Sequence, residues 1–145
     1  PRQSAIERNT GFHLGANSHQ QFIYSLRRML DPIKEHVDNN FNPLPAEYTK
    51  EFAPVRQKIN DLMRMSCEQI ETSRYENYRE ILAEADACKD ELSVLRKKHI
   101  DRIQHLSDNS LMQISLVYLN VLQESQEFLS VMRHQLRAAK KFMEK

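Results

Sequence analysis

Residues 111–142 read LMQISLVYLNVLQESQEFLSVMRHQLRAAKKF and contain neither glycine nor proline. Apolar side chains recur in this stretch every three or four residues, which is the spacing of one face of an α-helix. Polar and charged residues fill the positions between them, as in a helix with one buried and one solvent-facing side. The stretch therefore predicts a long amphipathic helix, whose apolar stripe is Leu111, Ile114, Tyr118, Val121, Ser125, Phe128, Met132, Leu136 and Ala139.

Three further segments with the same apolar spacing precede this one, over residues of about 17–40, 45–72 and 74–106. The links between the segments are short, so consecutive helices are expected to be antiparallel. Residues 1–16 are polar and hold both glycines, and we expect them to form a linker or a loose N-terminal arm. The sequence therefore predicts an all-α protein, an elongated up-down-up-down four-helix bundle over residues 17–145.

The predicted helix starts share a capping-box pattern, in which a serine is followed three residues later by Glu or Gln. In this pattern each side chain satisfies a backbone N–H group that the first helical turn leaves unpaired. Proline inside a helix removes a backbone donor and displaces the preceding turn, so a kink is expected at each such proline. The capping pairs are Ser18 with Gln21, Ser73 with Glu76 and Ser110 with Gln113, and the kinks are expected at Pro32 and Pro54.

Composition excludes several classes of protein. The chain has two glycines in 145 residues, which disfavours hairpin-rich sheets and the glycine-rich loops that hold nucleotide phosphates. Its net charge is +1, so no nucleic-acid partner is expected. No apolar stretch approaches the roughly 20 residues that cross a bilayer. Cys67 and Cys88 are predicted to be free, buried thiols, which fits a reducing, cytoplasmic compartment.

The third predicted helix carries two sets of carboxylates spaced four residues apart. Carboxylates at this spacing project from one helix face and can hold a divalent metal. The alternative is that bases on the last helix pair with them, and we favour this interpretation, so no cofactor is expected. The first set is Glu76, Glu80 and Glu84, which an antiparallel register pairs with Lys141, Arg137 and Arg133 in that order, and the second set is Asp86 and Asp90.

The histidines do not have the spacing of a Glu-x-x-His diiron site or a His-Glu-x-x-His zinc site. No nucleophile motif accompanies them, so we expect no catalytic centre. His99 lies on the apolar stripe of the third helix and is expected to be a core histidine bonded to a neighbour. His36 and Asp38 lie two residues apart, so they do not share a helix face. We interpret their segment as a polar helix end that bonds to its own turn.

Basic residues crowd the end of the fourth predicted helix. Cations favour helix C-termini because the helix dipole is negative there. In an up-down-up-down bundle, however, the start of the first helix lies at the same pole as the end of the fourth. A basic pole of this kind is expected for a domain that lies below a membrane. Its members are Arg2, Arg8, Lys140, Lys141 and Lys145.

Two segments carry a family resemblance. Residues 30–40 read LDPIKEHVDNN and are followed by Pro43 and Leu44, and residues 115–125 read SLVYLNVLQES. These segments resemble the PhoU-like cytoplasmic domain at the C-terminus of bacterial inorganic phosphate transporters of the PiT type. The resemblance extends over residues 18–142.

The resemblance implies a non-catalytic regulatory or interaction domain on the cytoplasmic side of a permease in the bacterial inner membrane. Its partner would be the membrane part of the same chain, and a homo-oligomer is left open. PhoU proteins carry repeated Glu/Asp-x-x-x-Asp metal motifs, and this sequence offers Asp86-x-x-x-Asp90, with Glu80-x-x-x-Glu84 as a near match. The rival interpretation is a free-standing cytosolic helical adaptor that dimerises through an exposed bundle face.

Overall fold

The computed structural model describes the backbone of residues 2–41 and 43–144, and the side chains of residues 19–41 and 43–144. These residues form four helices and no strand. The prediction of an all-α four-helix bundle is therefore confirmed. The helices are α1 (Arg2–Phe41), α2 (Ala46–Thr72), α3 (Tyr78–Gln104) and α4 (Asn109–Met143).

Contacts between neighbouring helices show the up-down-up-down arrangement. Phe41 at the end of α1 lies 5.3 Å, ring to ring, from Phe52 near the start of α2. At the opposite pole, Phe22 of α1 lies 5.4 Å from Phe142 at the end of α4. Helix α4 contacts the other three helices, whereas α1 and α3 lie on opposite sides of the bundle.

Helix α4 supplies the centre of the core. Its buried positions follow the predicted stripe from Tyr118 to Ala139. The first two stripe residues, Leu111 and Ile114, are instead 45% and 37% exposed. They lie on the first turns of α4, where α3 has already ended at Gln104, so little of the bundle remains to cover them.

The expected capping boxes are wrong at all three positions. Ser18 lies inside α1. Ser73 ends α2, with a left-handed φ of 55° and its backbone N–H bonded to the carbonyl of Ile70. Helix α4 is capped by Asp108, which accepts from the backbone N of Ser110 at 2.9 Å. A carboxylate accepts a hydrogen bond more strongly than a hydroxyl, so Asp108 takes the role expected of Ser110.

The start of α1 also differs from the expectation, since the helix begins at Arg2 rather than near Asn17. The division into an arm (1–16) and a bundle stays a prediction, because the side chains of residues 1–18 lie outside the described part. Pro32 and Pro54 lie inside α1 and α2, and the expected kinks stay predictions. Within the described residues, none of the helices combines the length and the hydropathy needed to cross a bilayer.

Candidate functional site

A largely buried carboxylate joins three helices near the pole where α2 and α4 begin. Glu51 of α2 accepts a hydrogen bond from the Tyr118 hydroxyl at 2.9 Å. Its second oxygen accepts from Lys98 Nζ at 3.0 Å and also pairs with the guanidinium of Arg102. The Glu51 side chain is only 10% exposed. One carboxylate on α2 thus binds donors from both α3 and α4, and we call these four residues the Glu51 cluster.

Three rings pack beside this cluster. The rings of Tyr48 and Tyr118 stack at 4.6 Å with an interplanar angle of 10°. His99 lies edge-on to both, at 4.9 and 4.7 Å. Its Nε2 lies 2.7 Å from the Ser115 carbonyl, which can only accept, so Nε2 carries the hydrogen. The prediction that His99 is a core histidine bonded to a neighbour is therefore confirmed.

Burial and hydrogen bonding set the charges of these groups. Burial raises the pKa of Glu51, but Lys98, Tyr118 and Arg102 together bring it below its ordinary value. Burial, more than the raising effect of the Ser115 carbonyl, lowers the pKa of His99. Burial and the bond to Glu51 raise the pKa of Tyr118. At neutral pH the cluster therefore holds a charged Glu51 against two cations, beside a neutral His99.

The chemistry open to this cluster is limited, because its carboxylate and its tyrosine hydroxyl are both engaged in hydrogen bonds. Both Glu51 oxygens accept hydrogen bonds, and Tyr118 donates its only proton to one of them. In the cluster and the rings beside it, two buried nitrogen atoms lack a partner among the described residues: His99 Nδ1 and Arg102 Nη1. We interpret the cluster as a clamp that fixes α2, α3 and α4 in register.

Sequence reasoning missed Glu51, because it lies one position before Phe52 and therefore off the apolar stripe of α2. A signal was present in Tyr118, because a tyrosine on an inward stripe needs a partner for its hydroxyl. The other inward tyrosine, Tyr48, lies within one turn of Glu51, but its own hydroxyl bonds to Ser115 at 3.0 Å.

Residues 30–40, the first of the two segments that carry the family resemblance, pack α1 against its neighbours. His36 Nδ1 lies 2.5 Å from Glu124 of α4, whereas Asp38 accepts from Arg56 of α2 at 2.5 Å. The prediction that these two residues lie on different faces is confirmed. Asn40 donates to the backbone carbonyl of His36 at 2.8 Å, as expected for a helix end that bonds to its own turn.

The acidic ladder of α3 does not make the expected pairs with α4. Arg133 pairs with Asp86 at 3.1 Å, not with Glu84. Glu80 and Glu84 instead line a concave surface together with Met65 of α2. The reason is the direction in which each acidic side chain projects from α3. Ala85 is buried, so Glu84 and Asp86 lie on opposite flanks of α3, towards α2 and α4 respectively.

The other acidic residues of this prediction, and the bases expected to pair with them, lie on the surface. Glu76, Asp90 and Lys141 are exposed, and Arg137 is exposed and has no ion-pair partner among the residues described. Within that part of the chain, no three His, Cys, Asp or Glu side chains converge as metal ligands. Metal binding by Glu76, Glu80, Glu84, Asp86 and Asp90 stays a prediction.

The basic pole is described only in part. Lys140 pairs with Glu144 and lies 5.0 Å above the ring of Tyr78, so it is directed towards α3. Lys141 is exposed. The side chains of Arg2, Arg8 and Lys145 lie outside the described residues.

A groove lies between residues 27–34 of α1 and residues 60–71 of α2. Its volume is about 500 Å³, and Phe128 of α4 lies among its lining residues. Arg27, Asp31 and Lys34 line it from α1, and charged residues of α2 line the other wall. Cys67, a free thiol, also lines the groove, and burial raises its pKa. The second free cysteine, Cys88, is buried in the core, and burial raises its pKa to about 11.

Comparison with known proteins leaves the chain without an assigned relative: no family model, no curated protein and no solved structure matches it. The resemblance to the PhoU-like domain therefore stays a prediction.

Proposed function

We propose that this chain is a non-catalytic regulatory and interaction domain of an inorganic phosphate transporter. It would act by docking to the membrane part of the same transporter chain. The observation that carries the non-catalytic part is the Glu51 cluster. Glu51 accepts from three side chains at once, which leaves this buried carboxylate a role in holding helices together rather than in proton transfer.

Support for the transporter assignment comes from the resembling segment of α1. Its polar residues His36 and Asp38 bind α4 and α2 respectively. Such contacts give a physical reason for a family to share these residues, because they set how α1 packs on the rest of the bundle. On this proposal, the residues of this segment maintain the packing of α1 and take no part in a chemical step.

The reading frame upstream of Pro1 tests the proposal directly. We expect the coding sequence to continue upstream into several apolar segments of about 20 residues each, as a permease requires. A start codon immediately before the Pro1 codon, with an in-frame stop codon just upstream of it, would contradict the proposal.

A second candidate is a helical adaptor that dimerises, and the exposed apolar residues near the α3–α4 turn favour it. Leu111 and Ile114, three residues apart on one face of α4, are 45% and 37% exposed. Apolar side chains gathered on one surface mark an interaction site. Sedimentation velocity at several concentrations tests this candidate, since a monomer at every concentration would exclude it. The variant Leu111→Ser with Ile114→Ser should weaken any dimer, and Val94→Ser, which changes an exposed residue on α3, is the control.

A further inference from the structure

One end of the α1–α4 pair concentrates positive charge. We define this α1–α4 end as residues 19–30 of α1 and 133–144 of α4, which lie side by side where Phe22 meets Phe142. Within it, Glu144 is the single acidic residue. The neighbouring ends of α2 and α3, residues 64–80, hold more acids than bases. The bases of the α1–α4 end are Arg27, Arg28, Arg133, Arg137, Lys140 and Lys141.

Contacts inside the bundle engage half of these bases. Arg133 donates to Asp86 at 3.1 Å. Lys140 pairs with Glu144 and lies above the Tyr78 ring. Arg27 lies beside Cys67 in the groove, where its charge opposes the rise in the thiol pKa that burial causes. The other three bases are exposed and have no ion-pair partner among the described residues: Arg28, Arg137 and Lys141.

Large apolar side chains are exposed on the same segments of α1 and α4 as these three bases. Tyr24 is 65% exposed, Met29 50% and Phe142 51%. Residues four apart on a helix lie one above the other, so Tyr24 and Arg28 form one row on α1. Arg137 and Lys141 form a second row on α4. Met29 contacts Gln135 between the two helices, which places it at the seam beside these rows.

Basic residues interleaved with exposed aromatic side chains match the chemistry of a bilayer surface. Aromatic rings favour the level of the lipid headgroups, and lysine and arginine favour their phosphates. We propose that the α1–α4 end binds the surface of an anionic lipid bilayer. Arg28, Arg137 and Lys141 face the headgroup phosphates, and Tyr24 and Phe142 enter the interface. The inference rests on the proposed function, since a domain attached to a permease lies beside the bilayer.

Vesicle sedimentation of the purified chain measures this binding. We expect binding to vesicles of phosphatidylcholine with about one third phosphatidylglycerol, and much weaker binding to phosphatidylcholine alone. Each base near an anionic surface contributes roughly a fivefold gain in affinity. The variant Arg137→Gln with Lys141→Gln should therefore bind roughly 25-fold more weakly. Lys50→Gln with Lys97→Gln removes the same charge from exposed residues outside this end, and it should bind like the native chain.

A fluorescence reporter tests the orientation, because the chain contains no tryptophan. Tyr24→Trp should shift its emission to shorter wavelength on anionic vesicles, since the ring leaves water. Leu111→Trp, at the opposite pole, should not shift. Equal binding by both double variants, or equal shifts at both positions, would overturn the proposal. Binding to soluble polyglutamate as tight as to the vesicles, without a shift at position 24, would also overturn it in favour of an acidic protein partner.

This experiment separates the inference from the proposed function. Absence of vesicle binding would reject the lipid surface and leave the reading-frame test of the transporter assignment unaffected. A reading frame without membrane segments would reject the transporter assignment, while the vesicle measurements would still stand.

Discussion

At the scale of single residues, Glu51 and His99 make contributions to stability that differ in kind. Glu51 is a largely buried anion between two cations, so its loss leaves Lys98 and Arg102 without their shared partner. We expect Glu51→Gln to lower the free energy of unfolding by about 2–3 kcal/mol. Urea denaturation measures this change. Glu47→Gln, an exposed carboxylate one turn earlier on α2, is the matched control and should change stability by less than about 0.5 kcal/mol.

The pH dependence of stability follows from the same two residues. Both pKa values are lower in the folded chain than the ordinary values of 4.5 for Glu51 and 6.5 for His99. The unfolded state then binds more protons, so both contributions are present above the ordinary pKa and are lost as pH falls. We expect stability to decline in two phases, the first starting near pH 6.5 from His99 and the second below about pH 4.5 from Glu51.

The midpoint of urea unfolding, measured at several pH values between 8 and 4, checks these two phases. His99→Gln should remove the first phase, whereas His134→Gln, on an exposed residue of α4, should keep it. A native chain with equal stability at pH 7.5 and pH 5.5 would contradict the account of His99.

At the scale of the elements, the apolar spacing predicted the helices because a buried face must recur at the helical period. Helix α2, for example, runs from Ala46 to Thr72, within one residue of the expected start. The ends were less predictable, because several polar residues compete to cap them. Asp108 and Ser110 are two residues apart, and only the local backbone geometry decides between them.

Two substitutions test these helix ends. Ser73 has a φ of 55°, a conformation that costs less for glycine than for residues with a Cβ atom. Ser73→Gly should therefore raise the free energy of unfolding by about 0.5–1 kcal/mol.

Asp108→Ala should lower the free energy of unfolding by about 1 kcal/mol, since it removes the cap of α4. Thermal unfolding measures both. Ser110→Ala should cost less than Asp108→Ala, and the reverse order would contradict the assignment of the cap.

The ion pairs between helices illustrate what sequence spacing leaves open. The expected antiparallel register of α3 and α4 was close, since Arg133 contacts Asp86, two residues from the expected Glu84. The flank on which each acid lies depends on which α3 residue is buried deepest, and Ala85 between the two acids decides it. For the same reason the Glu51 cluster was missed, because the sequence does not tell which flank of α2 faces α4.

At the scale of the whole molecule, one pole contains the Glu51 cluster, and the other has exposed bases and aromatic rings. The first pole fixes three helices relative to one another. The second pole is the α1–α4 end, at which we propose binding to a lipid surface.

Phosphate uptake by the transporter proposed above tests the proposed regulatory role most directly. Cells without other phosphate permeases would carry either the complete reading frame or a frame that stops before residue 18, with membrane abundance equalised by immunoblot. We predict that the shortened transporter still takes up radiolabelled phosphate, but that its uptake no longer adjusts to the external phosphate concentration as the complete protein does. Identical uptake curves for the two proteins at equal abundance would contradict the account.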